Sequence, residues 1–183
     1  MAETSTGDFE LSGDELRAVA RYALLAAQEV LPVFEESCPG DPRPRAAIEA
    51  AREFADGARR SRLQRVTALD AHRAARDAGT ELARLAARSA GDAASAAYLH
   101  PIAQASQVGH VLRAAASATR IAELRAGDDR EVGTTALARW CRLASPTVID
   151  VLRRYPAPPT GRNRVSELMT ALDTALRSTS TSD

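Results

Sequence analysis

Three histidines, two glutamines and a set of arginines are the side chains of this sequence whose types could do chemistry. His100, Gln107 and His110 recur at offsets that bring them to one face of a continuous helix, and Gln104 borders the same stripe. Imidazole and amide groups gathered in an Ala-rich stretch suit a small polar pocket for a ligand or a metal. They equally suit a hydrogen-bond network that fixes the chain around Pro101, or a solvated face. His72 lies in an earlier Ala-rich stretch and meets that stripe if the two stretches pair antiparallel. Three imidazoles with a water in the fourth position is a zinc arrangement. No H-E-x-x-H or other ligand spacing is present, so no metal site is assigned and no cofactor is expected.

The cationic chemistry is all arginine. The chain has 24 basic residues, none of them Lys, and 24 acidic ones. A Schiff-base lysine, a phosphate-loop lysine and a kinase-type strand lysine are thereby excluded. Arg59, Arg60, Arg62 and Arg65 form one cluster, and Arg153, Arg154, Arg162 and Arg164 bracket a Pro-rich stretch. A nucleic-acid accessory protein would use such clusters, but zero net charge and seven aromatic residues speak against nucleic acid as a partner. Pairing with local Asp and Glu is the expected role, and an acidic protein partner would suit the same residues. Neither G-x-S-x-G nor G-x-G-x-x-G occurs, and no catalytic residue is assigned.

The elements that must carry these residues read as helices throughout. Ala is the commonest residue, and small side chains at helical spacing allow close helix packing. Ser12 and Glu15 form a capping box for a first helix ending near Glu36. Asp41-Pro42 opens a second, which Gly57 terminates. A third is expected from about 61 to 89, with Leu63, Val66, Leu69, Ala75, Leu82, Leu85 and Ala86 on its apolar line and a break at Ser89-Ala90-Gly91-Asp92. A long central helix follows from about 92 to 126, interrupted at Pro101 with His100 at the joint. Gly127-Asp128-Asp129 ends it and caps a helix over 130–144; Ser145-Pro146 starts a short one, and a last helix covers about 163–177. The expected fold is all-α, a compact bundle of six to seven helices with a long, Pro101-interrupted central helix. The expected layout is a tail at 1–10, a bundle domain at 11–154, a Pro-rich linker at 155–162, a C-terminal helix packing on the bundle at 163–177, and a tail at 178–183.

The N-terminus lacks a basic start followed by an apolar stretch, and no apolar run approaches membrane-spanning length. A cytoplasmic location and no membrane partner are expected. Cys38 and Cys141 read as ordinary reduced thiols.

Three segments carry a family resemblance: Leu31-Pro-Val-Phe-Glu35 followed by Asp41 to Arg52, Ala68 to Arg76, and Ala90 to His100. Together, over about residues 14–120, they resemble the helical immunity-protein family associated with bacterial polymorphic toxin systems. Asp92 stands where that family's later helix commonly has His. The resemblance implies a non-enzymatic protein that binds and neutralises a toxin, and Arg43, Pro44, Arg45, Glu49, Arg52, His72 and His100 occupy recurrent positions. Arg45 and Glu49 also form an i,i+4 pair by spacing.

The leading expectation is therefore a non-enzymatic helical interaction protein, an immunity protein, with Arg43, Arg45, Arg59, Arg60, Arg62 and Arg65 as partner-binding residues. The alternative is a small-molecule- or metal-binding protein using His72, His100, Gln104, Gln107 and His110. A homodimer through exposed Ala-rich faces is a further expectation.

Overall fold

The computed structural model describes residues 9–180. It is all-helical, with eight α-helices and two single-turn 3-10 segments among the described residues. These are α1 (Gly13–Ser37), α2 (Arg43–Ala55), α3 (Arg62–Asp77), α4 (Glu81–Ser95), α5 (Val108–Arg125), α6 (Arg130–Leu143), α7 (Pro146–Arg153) and α8 (Arg164–Arg177), with 3-10 turns at Ala96–Tyr98 and Ala105–Gln107.

Capping chemistry sets most of the boundaries. Ser12 and Glu15 exchange the two bonds of a capping box at α1, and Ser61 and Gln64 do the same at α3. Asp129, Ser145 and Asn163 each accept a backbone N–H at the start of α6, α7 and α8. At α2 the cap lies one residue later than expected. Pro42 is the capping residue, and the Asp41 carboxylate accepts from the Arg43 N–H at 3.1 Å.

α4 is the hub. It packs against α1, α2, α3 and α5, while α5 also carries α6 and α8. Its inward surface is built of small residues: Ala83, Ala86, Ala87, Ala90, Ala93 and Ala94 are all fully buried. The Ser89-Ala90-Gly91-Asp92 run, expected to break a helix, is instead the middle of α4. Its smallness serves packing, since neighbouring backbones can come close only where side chains are short. The break falls earlier, at Ala78-Gly79-Thr80, where the Thr80 hydroxyl accepts from the Ala83 N–H at 3.2 Å and starts α4 afresh.

Two further expectations are corrected. The long Pro101-interrupted helix does not exist. The chain leaves the helix at Ser95, crosses an irregular stretch around Pro101, and resumes at Val108, so the bundle has eight helices, not six or seven. The first half of the expected inner line of α3 is also reversed, although its Ala75 is buried as expected. Leu63, Val66 and Leu69 are 44%, 39% and 52% exposed, while Gln64, Thr67, Ala68, Ala71, Ala74 and Ala75 are buried. The alanines face inward because α3 lies close against α4 and α2, which leaves no room for leucine on that side.

The C-terminal part is fastened electrostatically. Glu123 of α5, fully buried, accepts from Arg120 on its own helix and from Arg164 of α8. A side chain at Gly133 of α6 would collide with that carboxylate, with a Cβ only 2.0 Å from Oε1. Burial alone would raise the Glu123 carboxyl, but the two arginines together hold it below the usual carboxylate range. Between α7 and α8, Tyr155 is buried and donates from its hydroxyl to the His100 carbonyl at 2.8 Å. The Phe9 ring packs edge-on against Tyr155 at 4.9 Å. The tail expected at 1–10 otherwise lies outside the described residues, as does 181–183 of the C-terminal one.

Removing the Glu123 carboxylate takes the inner partner from Arg120 and Arg164, although each keeps a second one, Asp128 and Glu167. Glu123→Ala is expected to lower the unfolding free energy by about 1.5–3 kcal/mol in urea denaturation; a loss under about 1 kcal/mol would contradict the role given to this carboxylate.

Candidate functional site

α3, the turn at Ala96–Tyr98 with the following loop, and the start of α5 enclose a groove of about 620 Å³. His72 reaches it from α3, His100 from the loop and His110 from α5; Arg65, Leu69 and Tyr98 also line it. The helical offsets that grouped His100, Gln107 and His110 in the sequence do not apply, because the chain between them is not one helix. A different contact brings them together: the Gln107 side-chain oxygen accepts from the His100 N–H at 3.0 Å. Gln104 is exposed and does not line the groove.

Behind the groove lies a charge that sequence reading did not single out as a site residue. Asp92 of α4 has a side chain only 1% exposed. Its Oδ1 accepts from Arg113 of α5 at 3.2 Å and stands 3.9 Å from His72 Nε2, while Oδ2 has no protein partner. The His72 ring is seated on Gly91, where an added Cβ would come within 2.7–2.9 Å of the imidazole. His110 Nδ1 is likewise buried without a partner. Burial pushes the Asp92 carboxyl up, against the pull of Arg113 and His110. Burial also holds His72 and His110 below the ordinary imidazole range, so both rings are neutral near pH 7. Among the described residues, no three His, Cys, Asp or Glu side chains converge as metal ligands.

The arginines divide into two classes. Arg43 is committed to Asp41 and Asp77, and Arg45 to Glu35 rather than to Glu49 as its spacing suggested. Arg60 stacks on Tyr98 at 5.1 Å and donates to the Ala97 carbonyl. Arg154 pairs with Glu15, and Arg164 with Glu123 and Glu167. Arg59, Arg62 and Arg65 are exposed and make no ion pair among the described residues, contrary to the expected local pairing. Arg62 and Arg65 form the outer face of α3 with Leu63, Val66 and Leu69, and Arg59 stands just before its start. That face runs into the groove, because Arg65 and Leu69 belong to both.

A family model described as "Imm-5 like putative immunity protein" matches residues 10–140. The chain belongs to this family. No curated protein and no solved structure matches it. The Imm-5 like segment spans α1 to most of α6, and so contains both the groove and the outer face of α3; α7 and α8 lie beyond it. No helix among the described residues of this Imm-5 like protein is long and apolar enough to cross a membrane. Asp92 was legible only as a departure from the family pattern, and its burial against Arg113 needed the α4–α5 packing to be known.

The depressed imidazoles set a sign for pH dependence. The unfolded chain protonates its histidines near pH 6.5, while the native state resists doing so at His72 and His110. Their contribution to stability is therefore complete above that pH and declines as pH falls through it. Thermal unfolding between about pH 7 and 5.5 is expected to show a smaller decline in the variant carrying His72→Gln and His110→Gln than in the parent chain. Equal declines would contradict the assignment.

Proposed function

We propose that this chain is a non-enzymatic immunity protein that neutralises a toxin by seating the outer face of α3 on it. One observation carries the reading: Leu63, Val66 and Leu69 stand in solvent beside Arg59, Arg62 and Arg65, which lack acidic partners among the described residues. Monomer surfaces rarely gather large aliphatic side chains in one stripe, and such stripes with charged rims mark interaction sites. The family description supplies the kind of partner.

The occupant that fits is a protein surface with an apolar centre and an acidic rim. Leu69 and Val66 bury against the centre, while the arginine forks take carboxylates in bidentate pairs. The adjoining groove accepts a protruding partner side chain at the His72–His110 end. Neutralisation is steric: a toxin held over this face has its own working surface covered. Positive charge on this side speeds encounter with an acidic partner.

Co-expression tests the proposal directly. Each toxin-like reading frame adjacent to the gene is induced with and without this chain, and growth is followed. One such frame is expected to arrest growth alone and to be relieved by the parent chain. The variant carrying Leu69→Asp and Arg65→Glu, both at exposed positions, is expected to keep its helical circular dichroism and to lose at least about 2 kcal/mol of binding, enough to abolish relief. Relief by no frame, or equal relief by the variant, would overturn the proposal.

A further inference from the structure

Away from the outer face of α3, two clefts open side by side along α4 and share the side chains of Arg84 and Arg88. One, of about 430 Å³, extends toward Arg76 and His72 of α3. The other, of about 440 Å³, extends toward α5 and α8, with Arg113 on its wall and Leu85, Val165 and Met169 as its apolar lining. Arg84 and Arg88 sit one turn apart on α4 and so project to the same side.

Their charges are not balanced locally. The side chains of Arg76, Arg84 and Arg88 make no ion pair or hydrogen bond among the described residues. The carboxylates nearby are already engaged. Asp92 is held by Arg113, and Glu123 by Arg120 and Arg164. Glu81 stands 4.0 Å from Arg120. This is a concave surface on which the guanidinium forks of Arg76, Arg84 and Arg88 have no carboxylate partner among the described residues, with the half-exposed Glu81 at one side, in a chain whose net charge is zero. The local positive charge is felt at His72. After burial, the charges of Arg113, Arg88 and Arg76 hold its imidazole down.

We propose that the double cleft binds a small phosphate-bearing anion, gripped at its centre by Arg84 and Arg88 and at its ends by Arg76 and Arg113. Planar guanidinium forks match the spacing of phosphate oxygens and bind them bidentately. A multiply charged ligand is favoured over a single carboxylate, because one carboxylate leaves most of the arginines unmatched. No Phe, Tyr or Trp ring lines either cleft, so a nucleobase finds no large stacking platform and the phosphates carry recognition. The site shares His72 with the groove beside the outer face of α3, but Arg84, Arg88 and Arg113 lie outside that groove, and binding here does not depend on a toxin partner.

Calorimetric titration of the full chain with pyrophosphate, near neutral pH and at fixed ionic strength, is the test. It is repeated with a variant carrying Arg84→Glu and Arg88→Glu, with the milder Arg84→Gln and Arg88→Gln pair, and with a single-stranded DNA oligonucleotide. Saturable pyrophosphate binding is expected, weakened about tenfold or more in both variants. Both variants are expected to keep the parent's melting temperature, since the two arginines are exposed. Absence of pyrophosphate binding, or unchanged affinity in the Gln pair, would overturn the proposal. Tighter binding of the oligonucleotide than of pyrophosphate at the same ionic strength would also overturn it, by assigning the arginines to a nucleic-acid backbone.

Discussion

The contact on which this structure depends is the seating of four helices against the alanines of α4. Ala83, Ala86, Ala87, Ala90, Ala93 and Ala94 are every one fully buried among neighbouring helices, where larger side chains would hold the backbones further apart. Gly91 shows how tight the fit is, since the His72 ring occupies the volume that any side chain there would need. A core with so much Ala gains little from each residue. It relies on many close backbone approaches and on polar fasteners such as the Glu123–Arg164 pair at its edge. The close approach of α3 also decides what that helix shows to solvent. With its alanines turned inward, Leu63, Val66 and Leu69 have nowhere to go but out.

Much of the architecture was legible in the sequence, and the reasons are local. Ser12 with Glu15, Ser145 with Pro146, and Asp129 announce helix starts through chemistry confined to a few residues. The errors arose where one residue type serves two purposes. Ser89-Ala90-Gly91-Asp92 has the composition of a turn, yet its small residues are a packing surface. Leu63, Val66 and Leu69 have the spacing of a buried stripe, but in an Ala-rich helix the small face is the one that fits inside. Pro101 predicts an interruption within one long helix, whereas the chain around it leaves the helix from Ser95 to Val108.

The polar site was partly legible. The three histidines were singled out and do line one groove, yet the rotational reasoning that grouped them was not the cause of their proximity. The Gln107–His100 bond and the approach of α3 to α4 were. Asp92, Arg84 and Arg88 were missed because nothing in a linear sequence distinguishes a buried aspartate or an unmatched arginine from the salt-bridged surface charges around it. Charge balance over the whole chain hides local imbalance: Arg43, Arg45 and Arg154 have acidic partners, whereas Arg59, Arg62 and Arg65, and Arg76, Arg84 and Arg88 of the α4 clefts, have none among the described residues.

The proposed role of this family member rests on a surface, the exposed side of α3. The inward turn of the α3 alanines is the fact behind that surface. Hydroxyl-radical footprinting of the full chain, read residue by residue by mass spectrometry, measures it most directly. Leu63 and Leu69 are expected to oxidise rapidly, while Leu112 and Leu172, fully buried in the same chain, stay protected. Protection of Leu63 and Leu69 to the level of Leu112 would place the aliphatic side of α3 in the core and remove the proposed interface.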